Sequence, residues 1–224
     1  GAHAARKKLV HPSFHGPGLK ALDAMYLQLA EELASEHPAD AAVPIYPLLH
    51  RISLHAIARV MFGSRSRDRT LAGAEAIHRF LFSFASPLLL FLRPLQIDLG
   101  PWSPWGRALR ARARLRAICQ EQIDNARSHP QENGVIADLA RLAEGLEDKD
   151  LITEVLTLLM FGHDTAATTM AWAMGHIHEH PGVAERAREE AFNWDGEGPS
   201  SFPFLQSCIN ESMRLRPVVV HLTR

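Results

Sequence analysis

The chain is expected to be mainly α-helical. Three observations lead there: apolar residues return at three- and four-residue spacing in block after block, proline and glycine punctuate the blocks, and strands are hardly signalled. In chain order the first helices fall roughly at Leu19 to Ser35, Ile45 to Phe62 and Arg69 to Phe84. The apolar run Pro87-Leu88-Leu89-Leu90-Phe91-Leu92 follows, far below the ~20 residues that a membrane span requires. Trp105 to Arg127 is an arginine-rich helix. Its Arg107, Arg110, Arg112, Arg114 and Arg116 spread over more than one face, which reads as a solvated surface rather than a nucleic-acid or lipid footprint. A short helix at Val135 to Ala143 leads to a long central one, Asp148 to His180, opened by Glu147, Asp148 and Asp150 and stopped by Pro181-Gly182. At ~1.5 Å per residue that helix would run roughly 45 to 50 Å. Helices at Val183 to Phe192 and Phe204 to Leu215 complete the series, and Val218-Val219-Val220 after Pro217 is the best strand candidate. No internal repeat and no low-complexity run is present.

Composition narrows the class. At 224 residues, 46% hydrophobic and a formal charge of −1, the chain has apolar material for a sizeable core and is too balanced to bind nucleic acid on charge alone. Two cysteines give no disulfide framework, so a reducing compartment is the default. No signal peptide is visible, and the expected localisation is cytoplasmic, or membrane-associated if an anchor precedes the chain.

The most informative stretch lies inside the central helix, from Leu156 to Thr169, where Gly162, Asp164 and Thr165 interrupt an apolar run. A glycine there costs about 1 kcal/mol against alanine, and a buried aspartate needs a partner or a proton. Thr165 would ordinarily donate its hydroxyl to the Phe161 carbonyl; a local widening of the helix would release it toward a ligand. A reaction centre and a buried polar spot satisfied by a neighbouring helix are both open readings of this segment. Downstream, Phe202 to Pro217 holds Glu211 and Arg214 one turn apart. Leu205, Cys208, Ile209, Met213 and Leu215 leave little of that helix polar, so the pair is expected to be buried within a fixed scaffold.

These residues together resemble the cytochrome P450 haem-thiolate monooxygenases. Gly162-His163-Asp164-Thr165 resembles the family's oxygen-binding motif, and Glu211-Ser212-Met213-Arg214 resembles its Glu-x-x-Arg helix, with the Pro203-Phe204-Leu205 lead-in and the Arg214-to-Pro217 exit. Lys7-Lys8-Leu9-Val10-His11-Pro12-Ser13-Phe14 is similar to the basic helix that touches the haem propionates. The three motifs stand in the family's order, and the resemblance spans the chain. It implies a mainly α, cytochrome P450-like helical fold, incomplete at both ends, with residues 1–224 a single partial domain. The family's iron ligand is a cysteine in a glycine-rich loop beyond the Glu-x-x-Arg helix. Neither Cys119 nor Cys208 holds that position, so no metal ligand is assigned here, and the chain reads as the middle half of a monooxygenase.

Residue by residue, the resemblance implies that His3, Lys7 and Arg224 bind haem b through its propionates, with lysine in place of the family's arginine losing the bidentate fork. It implies that Thr165 hydrogen-bonds bound dioxygen and that Asp164 helps deliver protons in a groove opened by Gly162. Glu211 and Arg214 would form the structural ion pair. The family usually has a small residue before the glycine; Phe161 stands there instead and is expected to wall and narrow the substrate pocket. The parent activity would insert one oxygen atom into an apolar substrate, with electrons from NAD(P)H through a ferredoxin or flavoprotein reductase. Arg6 and Lys8, flanking Lys7, are the expected docking charges. The isolated chain is expected to expose apolar surface and to lack activity without the cysteine loop.

Two readings from other classes stand beside this one. One is a truncated, non-catalytic helical interaction protein. The other is a zinc hydrolase using His176 and His180, which share the i, i+4 spacing that His11 and His15 repeat; Pro181 ends the helix at once, and no His-Glu-x-x-His pattern supports it.

Overall fold

A computed structural model describes residues 17–38, 42–63, 67–83, 92, 96–129, 131–142, 147–194 and 202–219. Among them the helices are α1 (Pro17–Ser35), α2 (Ile45–Phe62), α3 (Arg67–Ser83), α4 (Pro104–Ser128), α5 (Val135–Leu142), α6 (Asp148–Gly162), α7 (Asp164–Glu179), α8 (Pro181–Phe192) and α9 (Pro203–Leu215), with a 3-10 turn at Gly100–Trp102. No strand occurs among the described residues; Val218 and Val219 are irregular, because no second strand is at hand to pair with them. No described helix is long and apolar enough to cross a membrane. Most of the apolar run at Pro87 to Leu92 lies outside the described residues.

The chain divides into two compact units, Gly1–Gly18 with Leu54–Phe161, and Leu19–Ser53 with Gly162–Arg224. In the first, α4 packs on α3 and α5. Its core gathers Met61 from α2, Ile77 from α3, Leu115, Cys119 and Ile123 from α4, Ile136 from α5 and Leu151, Val155 and Leu159 from α6, each 2% exposed or less. Ser103 starts α4: its hydroxyl accepts the Gly106 N–H at 3.0 Å, and Pro104 takes the first helical position, where a missing N–H is harmless. The arginine run on α4 is solvated, with Arg107, Arg110, Arg112 and Arg114 exposed.

Two glycines set the approach of α2 to α5. Gly63 (φ +81°) and Gly134 (φ +106°) both take left-handed backbone, and a Cβ on Gly134 would stand 2.6 Å from the Gly63 nitrogen. Buried Gln122 is satisfied at this corner: Arg69 donates to its Oε1 at 3.2 Å, and its Nε2 donates to the Phe62 carbonyl at 3.4 Å. Arg127 grips Asp148 at the start of α6 through two bonds of 3.0 and 2.6 Å.

In the second unit α7 packs on α8 and α9. Phe202 supplies no capping side chain to α9, so an acid from α8 does: the Glu190 carboxylate accepts the Phe204 and Leu205 N–H groups at 2.9 and 2.8 Å. Arg186 covers the Phe204 ring at 4.1 Å, and His176 Nδ1 meets Ser212 Oγ at 3.0 Å.

The expected continuous central helix is corrected by one residue. α6 and α7 are separated at His163, whose φ of −99° and ψ of −46° stay near the helical region while the regular hydrogen-bond pattern lapses. The physical reason is local: Gly162 lowers helix propensity at that point, and an outside donor, Ser53 Oγ, bonds the His163 carbonyl at 2.7 Å.

Candidate functional site

The interruption is organised by one stripe of α2. Tyr46, His50 and Ser53 stand at i, i+4 and i+7, hence on one face, and each reaches the segment 163–164. Tyr46 Oη donates to Asp164 Oδ1 at 2.7 Å. The His50 ring meets the His163 ring edge-on, centroids 5.1 Å apart at 80°. Ser53 is 1% exposed and fixes the His163 carbonyl, which also accepts the Ala167 N–H at 3.0 Å.

This arrangement corrects the expectation that Asp164 is buried. Asp164 is exposed, and its carboxylate is held by a phenol; the buried polar residue of the segment is His163, 3% exposed. Burial pushes the Tyr46 phenol above its ordinary range, and the hydrogen bond and charge of Asp164 push it further, so Tyr46 stays a proton donor to the carboxylate at neutral pH. Gly162 is exposed at the end of α6, and Thr165 is half-buried in the first turn of α7. The break therefore falls between Phe161 and Thr165, where the sequence places the widening. Phe161 ends the first unit and is 65% exposed.

Glu211 and Arg214 form the expected pair with bidentate geometry, Arg214 Nε and Nη2 donating at 2.8 and 2.7 Å. The expectation of burial is corrected: their side chains are 55% and 68% exposed. Met213 and Leu215 on the same helix are also exposed, so its apolar residues do not enclose the pair. The hydrogen bonds from Arg214, reinforced by its charge, hold the Glu211 carboxyl below the usual range. His3, Lys7 and Arg224 lie outside the described residues.

Toward a haem, the described residues fit one side of the site and not the other. The Gly162-to-Thr165 break carries a carboxylate and a hydroxyl at successive positions of the chain. Cys119 is fully buried in the apolar core of the first unit, where burial pushes its thiol up to about 12, and Cys208 sits within α9. His176 and His178 are engaged with Ser212 and with the Met174 carbonyl, and they belong to no described cluster of metal-ligating groups. Tyr46, His50 and Ser53 were not singled out as site residues. Their signal is the i, i+4, i+7 polar stripe on α2, opposite the row Arg51, His55 and Arg59, and it points nowhere until the fold brings residues 110 to 118 positions away against it.

The family model for cytochrome P450 matches residues 2–224. The protein named cytochrome P450 138 of Mycobacterium tuberculosis (strain ATCC 25618 / H37Rv) is 28% identical over 227 residues, covering 97% of this chain and 49% of its own length. Cytochrome P450 135B1 of Mycobacterium bovis is 25% identical, over 99% and 48%. Among solved structures, a retinoic-acid-bound cyanobacterial CYP120A1 matches with TM-score 0.71 at 21% identity, over 95% of this chain and 48% of that one. A cytochrome P450DA heme domain matches with TM-score 0.65 at 17% identity, over 92% and 48%. The chain thus spans about half the length of the curated relatives it matches, and it belongs to the cytochrome P450 family.

Proposed function

We propose that residues 1–224 are part of a single cytochrome P450 domain in a haem-thiolate monooxygenase that inserts one atom of dioxygen into an apolar organic substrate. When bound, haem supplies dioxygen activation at an iron whose thiolate ligand favours O–O cleavage. That ligand is not among the residues of this chain, which would contribute the opposite side. His3, Lys7 and Arg224 would hold the propionates.

Asp164 and Thr165 would handle the protons. The observation that carries this reading is the fixed interruption at His163, which holds a solvent-accessible carboxylate one residue from the Thr165 hydroxyl, with Tyr46 behind it as a donor. Asp164 would pick up protons from water, Thr165 would pass them inward, and Gly162 would leave the helix open enough for a small ligand. Phe161 would border the substrate. Electrons would come from NAD(P)H through a ferredoxin or flavoprotein reductase, whose docking would be steered by Arg6 and Lys8 and weakened by salt.

The test uses a longer, haem-loaded form carrying the cysteine loop. Its reduced, carbon-monoxide-bound spectrum is expected to show the thiolate-type Soret band. Thr165→Ala is expected to divert reducing equivalents from product to hydrogen peroxide, and Asp164→Asn to slow turnover at least tenfold with a larger solvent isotope effect and an unchanged spectrum. Wild-type coupling and turnover in both variants would overturn the proton-delivery roles.

A further inference from the structure

Among the described residues, one group brings three candidate metal ligands together: His50, His163 and Asp164, whose donor atoms all lie within 4.8 Å of one another. They come from α2 and from the break between α6 and α7, 113 residues apart in sequence for His50 and His163. We propose that these three residues form a binding site for a borderline divalent cation, zinc being the best match, distinct from any haem iron.

The chemistry of the donor set is the first argument. Two imidazoles and one carboxylate suit zinc, and three protein ligands with an exposed third member leave a position open to water. Geometry is the second. A ring nitrogen lies about 1.2 Å from its ring centre, so two imidazoles on one tetrahedral zinc at about 2.0–2.1 Å would have centres roughly 5.2 Å apart. The observed separation is 5.1 Å. An edge-on ring contact alone also gives such a distance, but it does not bring a carboxylate to the same point. In a formed site the donor atoms would stand about 3.3 Å apart, so the widest pair closes by roughly 1.5 Å, within reach of side-chain rotation at exposed Asp164 and half-buried His50.

The third argument is the support behind the ligands. Tyr46 Oη holds Asp164 Oδ1, which leaves Oδ2 for the cation and fixes the carboxylate plane. Ser53 Oγ and the Ala167 N–H hold the His163 backbone. One helical face therefore supplies a ligand and two supporting groups. The site stands whether or not the monooxygenase reading does; where both hold, zinc and proton delivery compete for Asp164.

The experiment is a Zn²⁺ titration of the chain without haem, by competition with a chromophoric chelator, repeated with Co²⁺ to read coordination from its visible bands. The expected result is one zinc per chain, with His50→Gln and Asp164→Asn each weakening binding at least tenfold, Tyr46→Phe weakening it several-fold, and His176→Gln leaving it unchanged. His163 is left intact because it is buried. Zinc is also expected to raise the thermal midpoint of the unsubstituted chain and not that of Asp164→Asn, an exposed change that preserves the fold if His50→Gln does not. Absence of stoichiometric binding, or binding that survives both His50→Gln and Asp164→Asn, would overturn the site.

Discussion

Ser53→Ala isolates the bond that holds the interruption of the central helix. The Ser53 hydroxyl is 1% exposed and donates to the His163 carbonyl at 2.7 Å. Were that carbonyl left without a partner, the loss would be the desolvation penalty of a buried acceptor, about 1–3 kcal/mol. It is not left alone, because the Ala167 N–H still reaches it at 3.0 Å. The loss is therefore the net worth of one hydrogen bond, about 0.5–1.5 kcal/mol. For a chain of this size each kcal/mol shifts the thermal midpoint by about 2–4 °C, so Ser53→Ala should melt roughly 1–6 °C lower. Urea unfolding followed by far-UV circular dichroism measures the free energy, and amide hydrogen exchange locates it. Faster exchange is expected at Asp164 to Ala167, and none at the Leu115 region. An unchanged midpoint, or exchange spread evenly over the chain, would refute the view that this hydroxyl maintains the break.

Other outcomes follow from burial and charge. Leu115→Ala empties a site that is 0% exposed and should destabilise by about 2–5 kcal/mol in urea unfolding, whereas exposed Arg112→Ala on the same helix should stay within about 0.5 kcal/mol. In the native chain iodoacetamide should label Cys208 and spare Cys119, whose thiol is buried and pushed up to about 12; labelling of both before unfolding would contradict that burial. The chain has two tyrosines, Tyr26 and Tyr46, both raised first of all by burial, so their joint absorbance titration should have its midpoint above about 10 when folded and return to about 10 in guanidinium. The stability they contribute is present below the unfolded value and is lost as pH rises through the folded one. At the acid end Asp148, lowered chiefly by the Arg127 and Gln120 hydrogen bonds, contributes stability above about 4 that fades as pH falls through its folded value, a loss that Arg127→Ala should reduce, the Gln120 bond remaining, in acid titration monitored by circular dichroism.

What could be read from the sequence, and what could not, divides along the range of the interaction involved. Helix periodicity is local: Ile45–Phe62 emerges with the expected bounds, and α4 and α9 differ by a residue or so at their ends, where Pro104 and Pro203 take first helical positions. The motif Gly162 to Thr165 was equally legible, since a glycine, an acid and a hydroxyl in an apolar run violate the local rule. The weak point at Gly162 was legible too, but the full interruption at His163 was not, because the donor that holds its carbonyl, Ser53, lies 110 residues upstream. For the same reason the apolar surroundings of Asp164 suggested burial, while the fold leaves it exposed against Tyr46 and buries its neighbour instead. Glu211 and Arg214 teach the complementary point. Their one-turn spacing fixed the bidentate contact, but burial depends on what covers a helix face, and composition along α9 cannot report that. A stripe such as Tyr46, His50 and Ser53 gains its meaning only from the fold, because α2 carries a second polar row, Arg51, His55 and Arg59, at helical spacing on its other side, and the sequence alone does not tell the row that meets a distant partner from the other.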